Sequence, residues 1–172
     1  MSKIPARYES STFEQVPEKI RKLFTAMKDS RKGIYITGGV GTGKTHVAYG
    51  LLKQWEESTA PADFWNVSEL LQEIKDDYDR DAYSKTHTFD RLMESRRLLF
   101  LDDIGSEKTT EFVQERFYLL INRRYNEMLP TIFTSNLSIG QLAEKVGDRI
   151  ASRIVEMCDV VPLSGDDKRL KK

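Results

Sequence analysis

Gly38-Gly39-Val40-Gly41-Thr42-Gly43-Lys44-Thr45 fits the pattern G-x-x-x-x-G-K-[ST] in full, and no other stretch constrains the fold as tightly. The pattern works only where a buried strand enters a glycine-rich loop and the loop opens a helix. The flanks supply both: an apolar run at 34–37 before it and a helical pattern from 44 to about 55 after it. Glycines let the backbone curl so that successive N–H groups face phosphate oxygens. The helix N-terminus adds its partial positive charge. Lys44 is then placed to reach the outer phosphates, and the Thr45 hydroxyl to ligate magnesium. Gly39, Val40, Gly41, Thr42, Gly43, Lys44, Thr45 and His46 are the expected nucleotide-binding residues, with ATP and Mg²⁺ as ligands. His46, just inside the helix, either titrates near the phosphates or is an ordinary helix residue.

The rest of the chain alternates strand and helix signals. Val16, Ile20, Leu23, Phe24 and Met27 recur at helical spacing behind Pro17, and 30–33 stops that helix. Further strands are expected at 64–67, 98–102, 131–135 and 159–161, the last ended by Pro162. Helices are expected between them: one capped by Ser68 and carrying Leu70, Leu71, Ile74 and Tyr78, a short one near 89–94, a long one capped by Thr110, and two short ones at about 138–146 and 148–157. Residues 80–88 read as a loop. This alternation predicts an α/β fold with a parallel sheet covered on both faces. In such sheets ligands bind at the carboxyl ends of the strands.

Two apolar strands end in polar groups at that edge. The run 98–101 leads into Asp102 and Asp103, carboxylates that a buried strand would not hold in its interior. Asp102 is expected to hold the magnesium shell and Asp103 to orient or deprotonate the attacking water. The run 131–135 leads to Asn136, which can reach the γ-phosphate or that water if its strand lies beside Asp102's. Arg149 and Arg153 stand one helical turn apart. From spacing alone they read as solvated charges or a salt bridge; the alternative is an arginine finger acting on a neighbouring subunit's nucleotide.

Composition narrows the class. Lys plus Arg is 27 and Asp plus Glu is 27, so the chain lacks the basic excess of a free-standing nucleic-acid binder. Any nucleic-acid contact must come from a local patch or from a surface built by several subunits. The single cysteine, Cys158, excludes a disulfide framework and reads as a buried core thiol, which makes a reducing cytoplasm the expected setting. The first residues show no signal peptide, and no apolar stretch is long enough to cross a bilayer. The 172 residues amount to one domain.

These pieces, in this order, resemble the AAA+ initiator and helicase-loader group, specifically the DnaC-type loaders and IstB-type transposition helpers. The closest matches to that group are 101–107 (Leu-Asp-Asp-Ile-Gly-Ser-Glu) and 129–137 (Leu-Pro-Thr-Ile-Phe-Thr-Ser-Asn-Leu), with Arg124-Tyr125 ahead of the second. Arg149 to Arg153 looks like box VII, whose last arginine is the finger, so the resemblance favours Arg153 in that role. Gly165, Asp167 and Arg169 look like the group's short tail. The resemblance implies a P-loop NTPase core of five parallel strands in 5-1-4-3-2 order, flanked by helices and without a lid domain. It implies that residues 1–12 form a linker near the adenine pocket, that 13–172 form the ATPase domain, and that Tyr8 and Phe13 help enclose the base. It places DNA-facing helices between the second and third strands, where Lys75, Arg80, Lys85 and Arg91 interleave with tyrosines and acids. ATP hydrolysis, a homo-oligomer in the ATP state, single-stranded DNA and a replicative helicase or other DNA-processing partner follow as expectations, with no membrane partner.

Loaders carry a further N-terminal domain that grips the helicase. Here the P-loop begins at Gly38, so the sequence reads as an ATPase domain alone or as a minimal phage-type relative. A small P-loop kinase is the reading from another class. It is disfavoured by the leader ahead of the P-loop and by the polar tip at Asn136. A binding module that uses ATP without turning it over is the other, because Asp103 is shorter than the glutamate often used to activate water.

Overall fold

The computed structural model describes residues 4–79, 87–108 and 110–165, the side chains of 78 and 79 excepted. Helix α1 (Glu18–Ser30) follows Pro17, buries Ile20, Phe24 and Met27, and ends where Arg31 turns left-handed at φ 55°. Strand β1 (Gly33–Thr37) then enters the P-loop, and α2 (Lys44–Ser58) leaves it. Next come β2 (Asp63–Asn66), α3 (Val67–Asp79), α4 (Thr88–Glu94), β3 (Leu99–Asp102) and α5 (Glu111–Asn126). The chain continues through β4 (Thr131–Ser135), α6 (Ile139–Val146), α7 (Asp148–Met157) and β5 (Cys158–Pro162). The strands form one parallel sheet in the order β2-β3-β4-β1-β5, the order the resemblance implies.

Alternation along each strand divides the core in two. Tyr35, Leu99, Leu101 and Phe133 point to the face covered by α3 to α7. Ile34, Ile36, Phe100 and Ile132 point to the face covered by α1 and α2. Burial on both faces explains why these strands read as continuous apolar runs. No helix among the described residues is long and apolar enough to cross a membrane.

Several boundaries shift by a residue or so, β2 running over Asp63–Asn66 rather than 64–67, and two of the shifts have a clear cause. The cap of α3 is Asn66, whose Oδ1 accepts from the N–H groups of Ser68 and Glu69 at 3.0 and 3.4 Å, so Ser68 lies inside the helix. Strand β5 begins at Cys158 and carries Pro162 as its last paired residue, opposite Thr37. An edge strand tolerates a proline because its outer N–H groups have no ladder to join. Thr110 caps α5 as expected, accepting from Val113 N at 3.2 Å.

Arg124 is the largest fully buried side chain, 1% exposed. It reaches from the end of α5 under the sheet. There it donates to Thr131 Oγ1 at 2.7 Å, Arg97 O at 2.8 Å and Pro130 O at 3.0 Å. It thereby ties α5 to the starts of β3 and β4. Burial lowers its pKa to about 10, which leaves it charged at neutral pH. Arg124→Met would strand several buried acceptors, each costing roughly 1–3 kcal/mol. The expected loss is about 3–5 kcal/mol of stability, read as a lower urea midpoint. A midpoint equal to the parent's would show that Arg124 is not a structural tie.

Candidate nucleotide site at the strand tips

The P-loop is closed by its own side chains. Gly41 and Gly43 take φ of 77° and 94°, conformations that side chains other than glycine's rarely tolerate. Thr42 Oγ1 donates to Gly39 O at 2.9 Å. Lys44, only 7% exposed, arches over the loop and donates to Gly38 O and Gly39 O at 2.8 and 2.7 Å. An ammonium so held is already partly desolvated and stands at the N-terminus of α2.

Strand order brings the remaining groups to this loop, because β4 lies between β1 and β3. Asp102 is 5% exposed. Its Oδ2 accepts from Thr45 Oγ1 at 3.1 Å and its Oδ1 from Thr134 Oγ1 at 2.6 Å. Burial raises its pKa above the ordinary carboxylate range and Asp103 adds to the rise; the two hydroxyl bonds and Lys44 act against it. Asp103 adopts the left-handed φ of 62°. Its N–H donates to Thr134 Oγ1 at 2.9 Å, and its Oδ1 accepts from Asn136 Nδ2 at 2.9 Å. Lys44, Thr45, Asp102, Asp103 and Asn136 thus line one cleft of about 610 Å³, together with Arg7, Tyr8 and His46 of the surroundings.

The leader is packed against α2. His46 Nδ1 lies 2.8 Å from Ser11 Oγ and its Nε2 lies 2.7 Å from Gln15 Oε1, so this histidine fastens the leader while lining the cleft. Tyr8 stacks on Tyr49 at 4.7 Å, and Tyr49 stacks on Phe64 at 4.3 Å. Burial raises the Tyr49 phenol to about 12, with Asp102 contributing. Phe13, expected beside the base, packs instead against Phe24 at 5.9 Å and under the Arg21 guanidinium, and it does not line the cleft.

The other expected residues lie apart from the cleft. Arg153 is docked on α5: Nε donates to Asn122 Oδ1 at 2.8 Å, and the guanidinium stands 4.9 Å from the Tyr118 ring and 5.7 Å from that of Tyr125. Arg149 is exposed. Lys75 is exposed on α3, beside a groove of about 600 Å³ that Lys108 also lines. Arg91 faces Asp63 of β2 at 3.7 Å rather than joining Lys75. Arg80, Lys85, Asp167 and Arg169 lie outside the described residues.

Thr134 and Asn66 were not anticipated. Thr134 bridges Asp102 and Asp103, and Asn66, in register with Asp102, lines the same cleft. No local signal sets Thr134 apart, because Thr131 and Ser135 bring hydroxyls to the same strand.

Among the described residues, no group of three or more His, Cys, Asp and Glu side chains forms a metal cage. The donors present are the Thr45 hydroxyl and the buried Asp102 carboxylate. Two hard oxygens of this kind would suit Mg²⁺, which is seldom held by protein ligands alone.

The strand order and the loop between β1 and α2 are those of the P-loop NTPase fold in its AAA+ form. The family model for IstB-like ATP binding proteins matches residues 3–172, and the chain belongs to that family. Among curated relatives, it is 26% identical over 152 residues to the replicative helicase loader DnaI of Bacillus subtilis (strain 168), covering 80% of this chain and 48% of DnaI. It is 27% identical over 184 residues to the ATP-binding protein assigned to insertion sequence IS5376 of Geobacillus stearothermophilus, covering all of this chain and 72% of that protein. The crystal structure of the DnaC helicase loader superposes with a TM-score of 0.81 at 24% identity, over 93% of this chain and 100% of that one. The chain therefore spans about half the length of DnaI.

Lys44→Ala is expected to abolish measurable ATP binding, since a charge-assisted contact at the phosphates is lost along with the loop's own tie. Asp102→Asn should retain ATP binding without metal and lose the gain that Mg²⁺ gives. Fluorescent-nucleotide titrations with and without Mg²⁺ decide both, and wild-type binding by either variant would refute its assignment.

Proposed function

We propose that the chain hydrolyses ATP as one subunit of a ring- or spiral-forming assembly that acts on DNA. The observation that carries this reading is the convergence of Lys44, the Thr45–Asp102 pair and the Asp103–Asn136 pair in one cleft. In this reading Lys44 stabilises charge on the outer phosphates, and Thr45 with Asp102 holds Mg²⁺. The metal supplies neutralisation of the developing phosphate charge. Asp103, fixed by Asn136, orients or deprotonates the attacking water, and Asn136 remains within reach of the γ-phosphate.

Arg153 is proposed as the finger for a neighbouring subunit's nucleotide. Its cradle of Asn122, Tyr118 and Tyr125 supports this, because it holds the guanidinium in one orientation. Arg7 of the leader lines the chain's own cleft and is the alternative cation. Lys75 on α3 is proposed to contact single-stranded DNA, and relation to DnaI supports a replicative helicase as partner. A transposition helper acting on duplex DNA is the second reading. It is favoured by the IstB-like family and by the match to an insertion-sequence protein along the whole chain.

The deciding measurement is ATPase rate against protein concentration, alone and with single-stranded or duplex DNA. Specific activity should rise with concentration and respond to single strands; a response to duplex alone selects the second reading. Asp103→Asn should keep ATP affinity and slow turnover by about 10²–10⁴. Loss of binding there would make Asp103 a metal ligand instead.

Arg153→Ala should bind ATP yet lose turnover by roughly 10³ or more. Mixing it with Lys44→Ala should restore part of the activity, since each subunit provides what the other lacks. No rescue, concentration-independent activity and a dead Arg7→Ala would together assign the second cation to the chain itself.

A further inference from the structure

The loop that leaves β3 is held at every peptide that could let Asp103 drift. Ile104 N donates to Thr134 O at 2.9 Å, and Ser135 Oγ donates to Ile104 O at 2.6 Å. Ser106 Oγ donates to Asp103 O at 2.8 Å. The two peptides that flank Gly105 are each held by a charged side chain. Gly105 N donates to Glu107 Oε2 at 3.0 Å, and Lys145 Nζ donates to Gly105 O. Gly105 itself has φ 89°, and a Cβ there would meet Leu137 Cδ1 at 2.7 Å, so any other residue would be strained in this turn.

Glu107 is an improbable residue for a mere turn. It is 8% exposed, and its second oxygen, Oε1, has no hydrogen-bond partner among the described residues. Burying a carboxyl group with one oxygen unsatisfied costs stability. The hydrogen bond to Gly105 is what this arrangement gains, and that bond fixes the turn that begins at the left-handed Asp103. Lys145 comes from α6, the helix that follows Asn136, so its bond to Gly105 joins the two segments that carry the Asp103–Asn136 pair.

We propose that Glu107 and Lys145 clamp the two peptides that flank Gly105 and thereby position Asp103 for water activation. Both are positioning residues, since neither lines the cleft. The proposal rests on the reading of Asp103 as the water-orienting residue of an ATPase.

The test is single-turnover and steady-state ATP hydrolysis by the full chain, under the concentration and DNA conditions that give the wild type its highest rate. Glu107→Ala and Lys145→Met should each lower kcat by about 10–100-fold, the size of effect a small misplacement of a reacting group has. KM and ATP affinity should stay within about twofold of wild type, because uniform binding is untouched. Glu107→Gln should recover most of the rate, since its amide oxygen still accepts from Gly105 N–H. In an Asp103→Asn background, adding Glu107→Ala should cost no more than about twofold, as expected when one residue acts through another.

Equal losses in both backgrounds, or a raised KM with unchanged kcat, would overturn the clamp and make Glu107 a structural residue only. If Glu107→Ala fails to fold, Lys145→Met and Glu107→Gln carry the same test. A wild type without Mg²⁺-dependent ATPase would remove the hydrolysis reading, and the clamp with it. An active wild type and an impaired Asp103→Asn beside a normal Glu107→Ala and Lys145→Met would remove the clamp alone.

Discussion

Taking a carboxylate out of water costs several kcal/mol unless its lone pairs are met. Asp102 meets that cost with two threonine hydroxyls, one from α2 and one from β4. Those two bonds set the distance between the P-loop helix and the central strands. Thr134 then passes the constraint on, accepting from Asp103 N while its own carbonyl holds Ile104. A single buried charge thus dictates how three elements meet at the sheet's carboxyl edge. Burial also raises that carboxyl group's affinity for a proton, and the two hydroxyl donors act against the rise.

Much of this was legible in the sequence because the key residues are locally anomalous. A glycine run ending in Lys-Thr, and carboxylates closing an apolar strand, have few explanations. Periodicity gave the helices and strands to within a few residues, because both faces of the sheet are buried. What escaped was whatever depends on register between distant segments. Thr134 is 32 residues from Asp102, and nothing local marks it as more than a strand residue. Glu107 looked like part of a motif, and its grip on Gly105 N–H follows only from the turn's shape. Ser68 and Asn66 are both good caps; backbone geometry chose Asn66. Phe13 had two apolar destinations, and Phe24 with Arg21 won over the cleft.

Helix α5 serves the two ends of the molecule differently. Phe117, Leu120, Ile121 and Arg124 face inward, and Arg124 is tied beneath the sheet. Tyr118, Asn122 and Tyr125 form a neighbouring stripe at helical spacing and cradle Arg153 of α7. The tie under the sheet therefore also fixes where that cation stands.

The outer strands set a limit of another kind. Strand β2 has four residues, and β5 has five, the last of them Pro162. Rims so short, one of them closed by an imino acid, offer a second chain few backbone groups with which to continue the ladder. In the assembly proposed above, copies would therefore meet through helix flanks and loop tips rather than through sheet edges. Contacts of that sort can tilt and slide, whereas a shared sheet would weld the copies together.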